Sequence, residues 1–148
     1  MEDDDSTIPD DELLLRWVPA FSPTHLVRDS ATNEVIGPSS AAFAPDTDGA
    51  SVYLDSLVQA RNLTPVDVTH AVTDSVWTLP VEQVRALNLG VRRDPWPQDV
   101  DDPEHPRYAA HALITGLIGL SKKQRIRAQK GLANSASLKC VLMPSEPN

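Results

Sequence analysis

The sequence predicts a single mixed α/β domain, on three observations. The chain has 148 residues, the length of one domain. Strand-like runs such as "ASVYL" and "AVTDSVWTL" take turns with short helical patterns such as "PVEQVRALNLG". That alternation fits an α/β or α+β domain better than a bundle or a sandwich. A chain of this length also buries roughly two-thirds of its unfolded surface, so it needs no disulfide or metal to fold. The expected organisation is a disordered acidic head over residues 1–10, one globular domain over 11–143 and a flexible tail over 144–148.

The elements follow in order. "LLLRWV", residues 13–18, reads as a strand buried on both faces, interrupted by Arg16 and closed by Pro19. "HLVRDSATNEVIG" reads as two short extended pieces around a polar turn. "SSAAF" reads as the start of a further strand, with Phe43 in the core and Ser39 and Ser40 nearer its exposed start. In "PDTDG", Asp46 and Asp48 can bond their own backbone and Gly49 can take a positive φ, so a hairpin into "SVYL" is expected. Thr64, Pro65 and Asp67 mark a short capped helix. Residues 71–79 are rich in β-branched side chains and read as a strand, with Trp77 in the core.

The clearest helix starts at Pro80, places Val81, Val84 and Leu87 on one face, and ends at Gly90. "VRR" is an extended exit into "DPWPQDVDDPEHP", a long acidic loop punctuated by proline. Periodicity does not decide between strand and helix across "RYAAHALITGLIGL"; a strand through "AHALITG" is expected. "SKKQRIRAQKGLANS" reads as a basic helix capped by Ser121, with Gly131 near its end. "SLKCVLM" reads as a closing strand in which Cys140 is a buried core thiol.

Charge separates the two ends. The net charge is −8, yet residues 105–145 contain no Asp or Glu, while residues 1–12 contain seven acids and no base. The total argues against a general nucleic-acid binder, although the basic helix leaves such a contact open. A single cysteine forms no internal disulfide. The acidic N-terminus is unlike a signal peptide. The longest apolar segment, "YAAHALITGLIGL", is too short to span a bilayer. A soluble cytoplasmic protein is expected.

Candidate chemistry is sparse. Ser39 and Ser40 sit in no nucleophile-elbow pattern, so close packing is the favoured reading. His105 and His111 are six positions apart, which matches neither a helical zinc pair nor a finger, and no metal site is expected. His111 reads first as a core histidine. It is also the first choice for an active residue, because histidine titrates near neutral pH and this one follows the acidic loop. Asp94, Asp99, Asp101, Asp102 and Glu104 lack the order of a calcium loop and read as surface charge. Lys122, Lys123, Arg125 and Arg127 offer a contact for phosphate or for an acidic partner. No aromatic interleaves them, so stacking on single-stranded nucleic acid is not supported.

The succession "LLLRW", "SSAAF", "DGASVYL" and "LNLGVRRDPWPQDVDDPEHPRYAAHALITGL", then a basic helix and a closing strand, resembles a family of small uncharacterised bacterial proteins. Their pattern is SSxAF, then GxSV, then DP and HA, and it would span residues 13–142. The resemblance implies an accessory protein of a defence- or toxin-type gene cassette. The order Arg16, Ser39, Ser40, Phe43, Tyr53 is also similar to that of ADP-ribosyltransferase-type folds. That similarity implies NAD or another nucleotide as cofactor. The sequence departs from the pattern in its late glutamates, since Glu104 lies in a loop and Glu146 in the tail.

Two functions follow. The expected one is binding of a partner protein through Ser39, Phe43, Tyr53, Lys122, Lys123, Arg125 and Arg127, with no cofactor and no membrane contact. The alternative is an enzyme that handles a nucleotide or NAD with Arg16, Ser40 and His111 as catalytic residues. A concave pocket gathering Arg16, Ser40, Tyr53 and His111 would favour the alternative. A flat surface there, with an exposed apolar patch elsewhere, would favour the binder.

Overall fold

Strand β1, Leu13–Pro19, organises the molecule. It is apolar on both faces, as the sequence predicts, and it lies inside a six-stranded antiparallel sheet. The computed structural model describes residues 4–46, 48–95 and 106–145. In chain order, β2 is Leu26–Arg28, β3 Val35–Pro38, β4 Ala50–Leu54, β5 Asp74–Pro80, β6 Gly90–Arg93, β7 His111–Thr115 and β8 Cys140–Leu142. The large sheet has the order β6-β7-β4-β1-β5-β8, while β2 and β3 pair apart as a small hairpin. Helices α1 (Asp55–Ala60), α2 (Val81–Ala86) and α3 (Lys122–Ala136) complete a mixed α/β domain.

Alternation along the strands builds two apolar faces. Leu14 and Val18 of β1, with Val52, Leu54, Trp77 and Leu79, join the larger cluster. This cluster includes Phe43, Val81 and Val84, and Ala128, Leu132 and Ala136 of α3. The α3 positions are spaced i, i+4, i+8, the stripe an amphipathic helix buries. Leu15, Tyr53 and Val76 belong to a second, smaller cluster with Val58, Val68 and Ala110. The capping signals hold at α3, where the Ser121 hydroxyl accepts from the Gln124 N–H at 3.2 Å.

Four expectations are corrected, and one helix was not expected. Residues 4–10 are part of the folded domain. Ile8 is fully buried, the Asp5 N–H donates to the Val91 carbonyl, and Asp4 and Asp10 pair with Arg85. Asp5 pairs with Arg93. The acids that should repel one another are held by two arginines far along the chain, and Ile8 adds apolar burial. "SSAAF" forms a 3-10 turn over Ser40–Phe43 instead of a strand, although Phe43 is fully buried as expected. Helix α1 follows β4 directly without a side-chain cap, so nothing local announced it. Helix α2 ends at Ala86, where Asn88 supplies the positive φ, and Gly90 opens β6 instead. Cys140 is exposed on β8, and partial burial raises its thiol. The acidic-loop expectations at Asp99, Asp101, Asp102, Glu104 and His105, and the end of the tail, lie outside the described residues. Among the described residues no helix is long and apolar enough to cross a membrane.

Candidate functional site

Strands β1, β4 and β7 are neighbours, and three residues from them share one side of the sheet. Ser51 and Tyr53 are two apart on β4 and therefore project together. His111 is the register partner of Tyr53. With Trp17 of β1 they line a cavity of about 280 Å³. Its remaining walls are Tyr108, from the turn before β7, His70, from the loop before β5, and the carboxylate residues Asp46 and Asp94. The chain has three Trp, two Tyr, two Phe and four His. One Trp, both Tyr and two His meet here, a concentration that ordinary core packing does not require.

The rings are arranged in pairs. His70 lies 4.3 Å from Trp17, centroid to centroid, and His111 meets Tyr53 edge-on at 5.4 Å. His111 Nδ1 is 2.7 Å from the main-chain oxygen of Asp94 and 3.3 Å from its Oδ2. A carbonyl only accepts, so Nδ1 carries a proton and donates to it. Asp94 thus fixes the orientation of the His111 ring on the pocket wall.

Arg16 borders the pocket without lining it. The β1–β4 ladder consists of two pairs, Leu14 with Leu54 and Leu15 with Tyr53. Beyond them the Arg16 side chain bridges the two strands. Nη1 donates to the Ser51 carbonyl at 2.6 Å and Nε to the Ala42 carbonyl at 3.0 Å. The guanidinium carbon sits 5.2 Å from the Trp17 ring and 5.9 Å from the Phe43 ring, within cation–π range. Arg16 is 9% exposed, and among the described residues no carboxylate lies at ion-pair distance from it. Burial pulls its pKa down to about 10, against the charge of Asp46, so it remains a cation at neutral pH.

Other groups feel the same environment. Burial pushes the Tyr53 hydroxyl up to about 12, against the opposing charge of Arg107. Desolvation and then Arg107 hold His70 below its ordinary value, even though the residue as a whole is exposed. Arg107 Nη1 donates to the Thr69 carbonyl at 3.0 Å, and its guanidinium lies 5.2 Å from the Tyr108 ring. Two buried donors, Trp17 Nε1 and Arg107 Nε, have no hydrogen-bond partner among the described residues. Native interiors rarely leave such groups unmet.

Of the residues singled out by sequence, Arg16, Tyr53 and His111 come together. Ser40 does not join them: its carbonyl accepts from Gln129 Nε2 of α3 at 2.8 Å. The Ser39 hydroxyl donates to the Thr24 carbonyl. Phe43 is a core ring beside Arg16. Lys122, Lys123, Arg125 and Arg127 all lie on α3 and none lines this pocket. Sequence reasoning missed Trp17, Ser51, His70 and Tyr108. Ser51 alone had a local signal, its two-residue spacing from Tyr53. Among the described residues no group of three His, Cys, Asp or Glu is placed to hold a metal ion.

Fold and site together define a mixed α/β domain with an aromatic, histidine-bearing pocket on an antiparallel sheet. Comparison with protein-family models, curated proteins and solved structures found no match to the chain.

Proposed function

We propose that the domain binds a nucleotide-type ligand in the pocket between β1, β4 and β7. The observation that carries this reading is the convergence of Trp17, Tyr53, Tyr108, His70 and His111 on one cavity. Flat aromatic walls suit a flat ring, and base–aromatic stacking is worth about 1–3 kcal/mol. Arg16 and Arg107 place positive charge near Tyr53 and His70, against the carboxylates of Asp46 and Asp94 on the wall, so a ring with a small polar group fits better than a polyphosphate. Size narrows the class. Ligand pockets run from roughly 300 to 1,000 Å³, so a cavity of about 280 Å³ takes one base with its sugar or phosphate, and only one half of a dinucleotide such as NAD. His111, oriented by Asp94, offers Nε2 for a hydrogen bond with a ligand hydroxyl or a water. Ser40 has no part in it.

Calorimetric titration of adenosine monophosphate, nicotinamide mononucleotide and NAD into the folded protein tests the reading. At least one mononucleotide should bind, and Trp17→Ala and His111→Ala should each weaken it by about tenfold or more, a stacking-sized loss. Failure of all three to bind a correctly folded parent refutes it.

A further inference from the structure

A second concavity, about 560 Å³, runs between Ala44–Asp46 and α3. From α3 it takes Lys122, Arg125, Ile126 and Gln129. These are positions i, i+3, i+4 and i+7, one face of a helix. Ile118, which precedes α3, also lines it. Ile118 is 47% exposed and Ile126 40% exposed. Together they form a small aliphatic patch edged by charge. None of the five cations of α3 makes an ion pair among the described residues. A chain of net charge −8 therefore presents one locally positive, partly apolar face.

We propose that this groove docks an acidic segment of a partner protein, anchored by an aliphatic side chain. Two cations, Lys122 and Arg125, outweigh the one carboxylate of the lining, Asp46, and favour an acidic occupant whose carboxylates pair with them. The lining selects protein over nucleic acid. It holds no aromatic ring on which a base could stack. A long polyanion also meets the repulsion of the whole molecule, whereas a short segment feels chiefly the field within a Debye length, about 8–10 Å. The anchor packs on Ile118 and Ile126 against Pro45. Gln129, 7% exposed and tied to the Ser40 carbonyl, holds the floor in place. The inference does not rest on the nucleotide reading.

The test is fluorescence anisotropy at low salt with three labelled probes. They are an Asp/Glu peptide with two central leucines, an oligoglutamate of the same charge, and a single-stranded oligodeoxynucleotide. The leucine peptide should bind tightest and lose affinity as salt rises. The pair Lys122→Glu and Arg125→Glu should weaken it by about tenfold or more, because each attraction becomes a repulsion. Ile126→Ser should weaken the leucine peptide while leaving oligoglutamate unchanged. These side chains lie on the surface, and an unchanged melting temperature confirms that each variant is folded. Absence of peptide binding to the parent, equal binding of oligoglutamate, or tighter binding of the oligonucleotide would each overturn the inference.

Discussion

Tyr53→Phe tests the pocket wall most directly. The Tyr53 hydroxyl is buried, with the residue 1% exposed, and its pKa is pushed from the ordinary 10.0 to about 12. The sign follows from proton counting. Between those two values the unfolded chain has released the phenolic proton and the folded chain still holds it. Stability is therefore intact below pH 10 and falls as pH climbs toward 12. At about pH 11.5 the accumulated loss is about 2 kcal/mol, since each pH unit climbed between the two values costs about 1.36 kcal/mol. Arg16 acts in the opposite sense. Burial lowers its pKa from the ordinary arginine value to about 10 in the folded state, so above that pH the unfolded chain holds more protons and stability rises with pH. The two oppose one another in the parent. Tyr53→Phe removes one of them, and the variant should gain about 2 kcal/mol relative to the parent between about pH 9 and about pH 11.5. Near neutral pH it should lose about 1 kcal/mol, one modest hydrogen bond. Urea unfolding at both alkaline values reads the difference. The chain has two tyrosines, so tyrosinate absorbance of the variant reports Tyr108 alone, and subtraction from the parent isolates Tyr53. Parallel pH profiles, or a Tyr53 that titrates at the ordinary value, would mean that its hydroxyl reaches solvent and that the wall is open.

Three further outcomes are expected. Phe43→Ala should cost about 3–5 kcal/mol in chemical denaturation through lost burial and a cavity, whereas Ser40→Ala should cost on the order of 1 kcal/mol or less, because the Ser40 contact to Gln129 is made by the main chain. Gly49→Ala should cost about 2 kcal/mol or more, because a Cβ there would sit 2.5 Å from the Ile114 carbonyl oxygen at φ +147°; a melting temperature equal to the parent's would show that β7 can yield. Ile8→Ala should cost about 2–5 kcal/mol, the range for emptying a fully buried aliphatic site, and an unaffected variant would return residues 4–10 to the status of a loose acidic head.

Where the signal was local, the sequence was legible. β1 was read from its apolar run, β5 from its β-branched residues, and α3 from Ser121 and the basic run that follows it, because each reports on its own neighbours. "SSAAF" failed for the opposite reason. Small residues suit an extended chain and a 3-10 turn equally, and the choice is made by packing against α3, with Gln129 bonding the Ser40 carbonyl from 89 residues away. The acidic N-terminus failed similarly. Self-repulsion is the right expectation for Asp4, Asp5 and Asp10 taken alone, and Arg85 and Arg93 reverse it from beyond any local window. The pocket was half legible. Tyr53 and His111 were each singled out, but their pairing across β4 and β7 is a matter of register. Trp17 and His70 reach the site from separate segments whose only link is the folded sheet.

Arg16 shows how a requirement of the fold becomes a property of the site. At the point where β1 and β4 stop pairing, the Ser51 carbonyl has no β1 amide opposite it. An apolar side chain at position 16 would leave that acceptor, and the Ala42 carbonyl beside it, without their present donors, at about 1–3 kcal/mol for each one left buried and unmet. A lysine offers one compact head, whereas the guanidinium fork reaches two acceptors from a planar group and can lie against rings. Arginine thus closes the gap in the ladder and sits between Trp17 and Phe43. The consequence is a full positive charge, nine-tenths buried, without a carboxylate in contact among the described residues. In a low-dielectric setting that charge is weakly screened. It acts on Tyr53 and His70, which line the cavity next door. The residue that lets two central strands diverge therefore also places a buried positive charge beside the pocket, whose wall carries the carboxylates of Asp46 and Asp94.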